Sequence, residues 1–426
     1  MVYVMRIFSL ALGLVTLTVF SHPLPVIVDT DMGFDDWMAL IYVAKNPKVE
    51  LKAVTISCTG ETHCDQDKGA INAAKLLTLA GKPNVPVYSG NLPNHQYWPV
   101  FPKLIRESAT TLNGLGKKFP YNISKVYPVN TAAKAIMTLA EDAAKTSKPI
   151  TIISIGTSTN IADAYYITPH KRKFIRGIKM VYKGGGSVGI PVQLKNGTWR
   201  LTNYHLPGNL SIPGLYATNN TQAEWNIYAD AESTETLITN HIPLTFITTN
   251  LSDQVPITES SYNRLKKMAG KAASVKFVLR DIESQVHHQA GWNNAHLDYW
   301  DPSVVVAALN PELVTQHFRV SACINTRDLN KVATNGHIPN ITDQVDLPNY
   351  VFTPAQPLYF YGSLLVNQPY SSHRNNNNPV YTTKACDALN EPAAQVNVDT
   401  QINVKGFYQN FIAVLSRKTC NGQVKL

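Results

Sequence analysis

From Val26 onward, apolar and polar positions alternate in two rhythms. Short β-branched runs at Val26–Val28, Leu51–Ile56, Val85–Tyr88, Ile150–Ile155, Ile178–Tyr182 and Leu244–Thr248 predict strands. Between most of them, apolar residues recur at helical spacing, as in Asp67–Ala80, Thr131–Lys145 and Ala231–Thr239. Repeated β–α alternation predicts an α/β fold, a mostly parallel open sheet with helices on both faces. Ligands of such sheets bind outside the carboxyl ends of the strands, and Asp29 and Asp31 occupy the first such end. The rhythm fails in two stretches rich in Gly, Pro and Asn, near 187–222 and 366–395, which read as loop insertions. It returns at Val404–Arg417 as a closing helix, so 22–426 reads as one domain.

The first 21 residues stand apart from this pattern. Arg6 precedes the apolar run Ile7–Phe20, with short residues at Val19 and Ser21, which is the pattern of a signal peptide. The run is shorter than the roughly 20 residues of a spanning helix, so the expectation is cleavage and a secreted or periplasmic protein without a stable membrane anchor. Export permits disulfides among the five cysteines Cys58, Cys64, Cys323, Cys386 and Cys420, of which the odd count leaves at least one unpaired in a monomer. Cys58, His63 and Cys64 fit no standard zinc spacing. With 426 residues and 44% apolar composition the chain can bury a substantial core. Its net charge of +9 is spread along the chain, with no nucleic-acid-binding signature at its densest cluster, Lys171–Arg176, so no nucleic-acid partner is expected. Homo-oligomerisation is neither required nor excluded by the sequence.

The chemistry concentrates in VIVDTDMGFDDWMAL, Val26–Leu40, where Asp29, Asp31, Asp35 and Asp36 place four carboxylates within eight positions. Asp29 and Asp31 share one face at a strand end, and Asp35 and Asp36 open the next helix, with Gly33 expected to take the turn between. Carboxylates so close repel or protonate one another unless a cation sits among them. A pocket of hard oxygens selects calcium or magnesium, and a flexible cage with several carboxylates leans toward calcium. One of the four, Asp35 for instance, could simply cap the helix; a cap does not account for all of them.

DTDMGFDD resembles the D-x-D-x-G-x-D-D signature of the inosine–uridine nucleoside hydrolase family. Three later segments resemble that family's in order: IISIGTSTNIADA (Ile152–Ala164), AEWNIYADAES (Ala223–Ser233) and YWDPSVVVAAL (Tyr299–Leu309). The resemblance implies the family's Rossmann-like sheet and hydrolysis of the N-glycosidic bond of ribonucleosides to free base and ribose. It implies that Asp31, Asp36, Asp301 and the backbone carbonyl of Ile155 hold calcium, with Asp31 also the general base on a calcium-bound water. Asp35, Glu224, Asn226 and, less clearly in register, Asn219 would hold the ribose, with Asp301 touching both metal and sugar. Trp300 stands where many members carry a histidine that protonates the leaving base, and so matches the purine-preferring branch, whose tryptophan stacks on the base.

Other histidines near this place, His287, His288 and His296, are more often bystanders than acids. Gly184–Gly186 lacks the Gly-Lys-Ser/Thr of a phosphate cradle and reads as a tight turn after a strand. Six N-x-S/T sequons matter only in a glycosylating host. Two alternatives stand beside the hydrolase. One is a haloacid-dehalogenase-like phosphatase with Asp29 as nucleophile, for which no later acidic pair is found; the other is a non-catalytic calcium-dependent sugar- or nucleoside-binding protein.

Overall fold

The computed structural model describes residues 22–58, 62, 67–91, 103–188, 191–193, 199–201, 223–269, 271–326, 362, 364–367, 386 and 392–417. Strands β1 (Leu24–Thr30), β2 (Val49–Ile56), β3 (Val87–Ser89) and β4 (Val126–Tyr127) form one half of the main sheet. The other half is β5 (Ile150–Ser154), β6 (Ile178–Gly184), β9 (Leu244–Ile247), β10 (Val314–Ile324), β11 (Leu364–Asn367) and β12 (Ala394–Ile402). A separate hairpin pairs β7 (Pro191–Gln193) with β8 (Trp199–Leu201). The ten-stranded order is β11-β10-β12-β9-β6-β5-β1-β2-β3-β4. Pairings are parallel from β12 to β4, and only β10 runs antiparallel to its neighbours β11 and β12.

The chain winds from β1 to β4 on one side of β1 and then restarts at β5 on the other. That reversal between β1 and β5 is the switch point at which open α/β sheets leave a crevice.

Successive residues of each central strand face opposite helical layers. Val26 and Val28 enter one core, whereas Ile27 enters the other; Ile153 and Ile152 divide likewise on β5. Both faces are therefore buried, which is why these strands read as continuous apolar runs without polar alternation. The first layer holds α1 (Phe34–Lys45), α2 (Lys68–Leu79), α10 (Glu259–Ala269), α11 (Ala273–His288), α12 (Trp300–Leu309) and α13 (Val404–Leu415). The second holds α4 (Ala132–Thr146), α5 (Thr159–Ile167), α6 (Lys171–Gly177), α7 (Trp225–Ala229) and α8 (Ala231–Thr239). Two further helices, α3 (Lys103–Thr111) and α9 (Thr249–Ser252), complete the set among the described residues. The closing helix docks through aromatic pairs, Phe411 on Tyr42 at 5.7 Å and Phe407 on Tyr299 at 5.6 Å between ring centroids.

Two expectations about insertions are revised. Part of the first contains the β7–β8 hairpin, and the span near 366–395 includes the end of β11 and the start of β12. Cys323 and Cys386 form a disulfide with Cα atoms 5.9 Å apart, and Cys58 is also disulfide-bonded, so it offers no thiolate to zinc. Residues 1–21, His63, Cys64 and Cys420 lie outside the described residues. No helix among the described residues is long and apolar enough to cross a membrane.

Candidate active site at the switch point

The loop from β1 to α1 turns at Met32, not at Gly33. Met32 has φ 64°, in the left-handed region, whereas Gly33 is extended at φ −64° and ψ 173°. The conformation of Met32 is held by hydrogen bonds at both ends. Its N–H donates to Thr30 Oγ1 at 3.0 Å, and its carbonyl accepts from the Trp37 indole at 2.8 Å. A fully buried methionine side chain and a buried indole thus fix a backbone geometry for which glycine had been expected.

This turn delivers Asp36 to the middle of the acidic group. Asp36 Oδ2 accepts the Gly33 N–H at 2.9 Å, and Oδ1 accepts the Thr30 hydroxyl. The capping role foreseen for one aspartate therefore falls to Asp36. Asp35, Asp36 and Asp301 bring carboxylate oxygens within 4.8 Å of one another. Asp301 opens α12, and its N–H donates to Asp35 Oδ2 at 3.3 Å, tying the two helix starts together.

Burial is the main force on these groups. It raises the carboxyls of Asp31, Asp36 and Asp301 well above the usual range, and their mutual repulsion adds to it. Asp35 is pushed up to about 6 by burial, against the backbone N–H groups that favour its anion. Asp29 is also at about 6: burial outweighs hydrogen bonds to Oδ1 from Asn160 Nδ2 at 2.8 Å and Thr55 Oγ1 at 2.6 Å.

The opposite wall comes from β5, β6 and α7. Glu224 is the N-cap of α7, accepting from the N–H groups of Asn226 at 2.8 Å and Ile227 at 3.2 Å. Asn226 Nδ2 donates to the Ile155 carbonyl at 3.0 Å, so the named carbonyl ligand and a named ribose ligand meet directly. Glycines permit these approaches: a Cβ on Gly156 would lie 2.7 Å from the Asp31 nitrogen, and one on Gly185 would lie 2.2 Å from Glu224 Oε2. Gly185 and Gly186 take φ of 134° and 81°, the tight turn expected there.

One participant was not anticipated. Lys183, the penultimate residue of β6, is completely buried, and its Nζ donates to the carbonyls of Gly156 at 2.7 Å and Gly184 at 2.6 Å. Burial lowers its pKa while Glu224, Asp301, Asp31 and Asp29, in that order, raise it.

The pocket suits a hard cation. Its donors are carboxylate and carbonyl oxygens, and Asp29 Oδ2, Asn160 Oδ1 and Asn226 Oδ1 are buried acceptors without a hydrogen-bond partner among the described residues. Asp35, Asp36 and Asp301 are the carboxylates grouped closely enough to hold it, and Asp31, expected as a ligand, is not one of the three.

At the rim, Trp300 is half-buried, packs edge-on against Phe34 at 6.2 Å, and donates its indole N–H to Asp253 Oδ1 at 3.0 Å. His287, His288 and His296 are exposed, and Trp292 packs at a tilt against Tyr262, with ring centroids 5.5 Å apart. Asn219 lies outside the described residues.

A doubly layered α/β sheet with a buried acidic cluster at its switch point is the frame of a metal-binding site beside a ligand crevice. Residues 26–408 match the family model described as inosine-uridine preferring nucleoside hydrolase, and the chain belongs to that family. It is accordingly a nucleoside N-ribohydrolase, an enzyme that cleaves the N-glycosidic bond of ribonucleosides. Among similar proteins, the pyrimidine-specific ribonucleoside hydrolase RihA of Salmonella schwarzengrund is 25% identical over 350 residues, covering 79% of this chain and 99% of the relative. RihA of Photobacterium profundum is 26% identical over 291 residues, covering 68% of this chain and 81% of its own. The fold is shared with a plant nucleoside hydrolase (TM-score 0.61, 19% identity, 93% of this chain and 100% of the other). It is shared too with a purine-preferring ribonucleoside hydrolase from Gardnerella vaginalis (TM-score 0.58, 19% identity, 92% and 98%).

Proposed function

We propose that the acidic pocket holds calcium and that Asp31 is the general base of ribonucleoside hydrolysis, with purine nucleosides preferred. The observation that carries this reading is the grouping of Asp35, Asp36 and Asp301 at the switch point, with carboxylate oxygens within 4.8 Å of one another. Bound there, calcium would lower the pKa of a water molecule and orient it toward the sugar.

Asp31 accepts the proton of the attacking water as the bond to C1′ forms and the bond to the base breaks. Asp35, Glu224 and Asn226, with Asn219 as a further candidate, bind the ribose hydroxyls, and Asp301 faces both metal and sugar. The surrounding carboxylates favour the positive charge that develops at the anomeric carbon. Burial raises the Glu224 carboxyl above the usual range, and the Lys183 ammonium and the N–H groups at the start of α7 oppose that rise.

Trp300 and Phe34 offer an aromatic edge to the leaving base. An indole donates no proton usefully to a departing base, but a protonated purine gains from an electron-rich face, so that solvent can supply the proton. The curated relatives named above are pyrimidine-specific and one structural neighbour is purine-preferring; Trp300 is the feature of this chain that supports the purine side. Disulfides at Cys323–Cys386 and at Cys58 support residence in an oxidising compartment after export.

The test is incubation of protein lacking residues 1–21 with inosine, adenosine, uridine and p-nitrophenyl phosphate, with calcium and with a chelator. Calcium-dependent release of free base and ribose is expected. Phosphate release would favour a phosphatase, and saturable nucleoside binding without turnover would favour a binding protein.

A further inference from the structure

Lys183 lies where a parallel strand buried on both faces ordinarily carries an apolar residue. It pairs in register with Ser154 of β5 and Phe246 of β9, in the interior of the sheet. Burying an ammonium is costly unless it is both hydrogen-bonded and paired with opposite charge. Two of its three donors are taken by carbonyls of glycines that end β6 or follow β5. Neither carbonyl supplies a countercharge; Glu224, whose carboxylate lies against Gly185 just beyond β6, is the foremost of the acidic groups that favour its charged form.

The two carbonyls it holds are also informative. Gly156 follows Ile155 and rests against the Asp31 backbone; Gly184 precedes Gly185, which rests against the Glu224 carboxylate. One ammonium thus ties together the backbone beneath the β1 carboxylates and the backbone beneath Glu224.

We propose that Lys183 is a positioning residue that serves as the resident counter-cation of the active site, keeping the acidic pocket assembled when calcium is absent. The inference rests on the calcium reading above. Calcium and Lys183 are partial substitutes in charge, so each should matter most when the other is missing. A residue that merely filled space or held two carbonyls would matter equally in both states.

The experiment is thermal unfolding of wild type, Lys183→Met and Lys183→Arg, each with excess calcium and with chelator, together with calcorimetric titration of calcium into the chelator-stripped proteins. Lys183→Met is expected to lower the Tm of the calcium-free protein by about 5–10 °C, and that of the calcium-loaded protein by less than half as much. Its calcium Kd should fall about tenfold, because a repelling charge has been removed. Lys183→Arg should keep the wild-type calcium increment in Tm. Purification of Lys183→Met only in the presence of calcium would support the proposal; should it fold in neither condition, Lys183→Gln makes the same comparison. Equal losses of Tm with and without calcium, or a weaker calcium Kd in Lys183→Met, would overturn the proposal. Failure of the function reading is distinct: there the wild type would show neither a calcium-dependent rise in Tm nor nucleoside turnover.

Discussion

The ends of β1 and β6 meet at the same pocket and contribute in opposite ways. The end of β1 and the segment after it supply charge in bulk, with Asp29, Asp31, Asp35 and Asp36 inside eight positions. The end of β6 supplies one cation, Lys183, followed by three glycines, of which Gly185 lets Glu224 approach. Metal pockets need both halves. A cluster of carboxylates gives affinity, but without a backbone held firmly beneath it the cluster is a site of repulsion, raising every pKa and loosening the loop.

The largest expected effect comes from the β1 side. Asp31→Asn should lower kcat by roughly 10²–10⁴-fold, the usual range for loss of a general base, in a protein that remains folded by circular dichroism. Asp36→Asn should lose activity chiefly through metal affinity, because Asp36 is one of the three grouped carboxylates and also caps α1. Excess calcium should therefore rescue Asp36→Asn and not Asp31→Asn. Equal rescue of the two would erase the distinct role of Asp31.

A smaller loss is expected from the opposite wall. Glu224→Ala and Asn226→Ala should reduce kcat as well as raise KM for inosine, since hydrogen bonds to the ribose tighten as the ring flattens. Glu224→Ala carries an added penalty of about 1 kcal/mol in stability, because it removes the N-cap of α7. Asn226→Ala lacks that penalty but releases the Ile155 carbonyl. An increase in KM alone, with kcat unchanged in both, would make these residues uniform binders.

The two strand ends also differ in how far they could be read from sequence. Charge density exposes the β1 end at once, because four carboxylates at that spacing have no simpler explanation. Lys183 has no such local sign: a single lysine at the end of an apolar run looks like a strand emerging into solvent. Its burial is decided by Glu224 and Asp301, 41 and 118 positions further along the chain. Gly33 was misjudged for a related reason. The left-handed turn at Met32 is set by Thr30 and by the distant end of the Trp37 ring, not by the most permissive residue nearby. In the fold, the parallel strands Val26–Val28 and Ile150–Ile155 were legible as apolar runs, whereas β10 was missed. Its alternating exposure through VTQHFRV is a period-two pattern that was available, but it lies at the antiparallel side of the sheet, outside the β–α rhythm.

A pH experiment tests the acidic half without mutation. Burial raises Asp29 and Asp35 from the unfolded value of 3.8 to about 6, and raises Asp31, Asp36 and Asp301 further. Between these limits the folded, calcium-free protein binds more protons than the unfolded chain, so its stability falls as pH rises. In chelator, Tm should be lower at about pH 7.5 than at about pH 5. Calcium bound there would displace those protons, so its affinity should strengthen over the same range and the slope of Tm should flatten. A Tm in chelator that climbs from the lower to the higher pH would show that the carboxylates are ionised without help.

The smallest expected effect belongs to the rim, which neither strand end supplies. Trp300 is the residue before Asp301 and is steadied by Phe34 at one edge and Asp253 at the indole N–H. If its ring is the surface on which a purine rests, Trp300→Ala should lower kcat/KM for inosine by about 2- to 10-fold, the equivalent of one aromatic contact, and leave uridine less affected. Asp253→Ala should produce a weaker form of the same bias, because it frees the indole without removing it. Both variants keep the acidic pocket, so the calcium increment in Tm should remain at the wild-type value, unlike that of Lys183→Met. Parallel losses for inosine and uridine in Trp300→Ala would mean that the ring closes the site without reading the base, and a wild-type preference for uridine would turn the search for a proton donor to His287, His288 and His296.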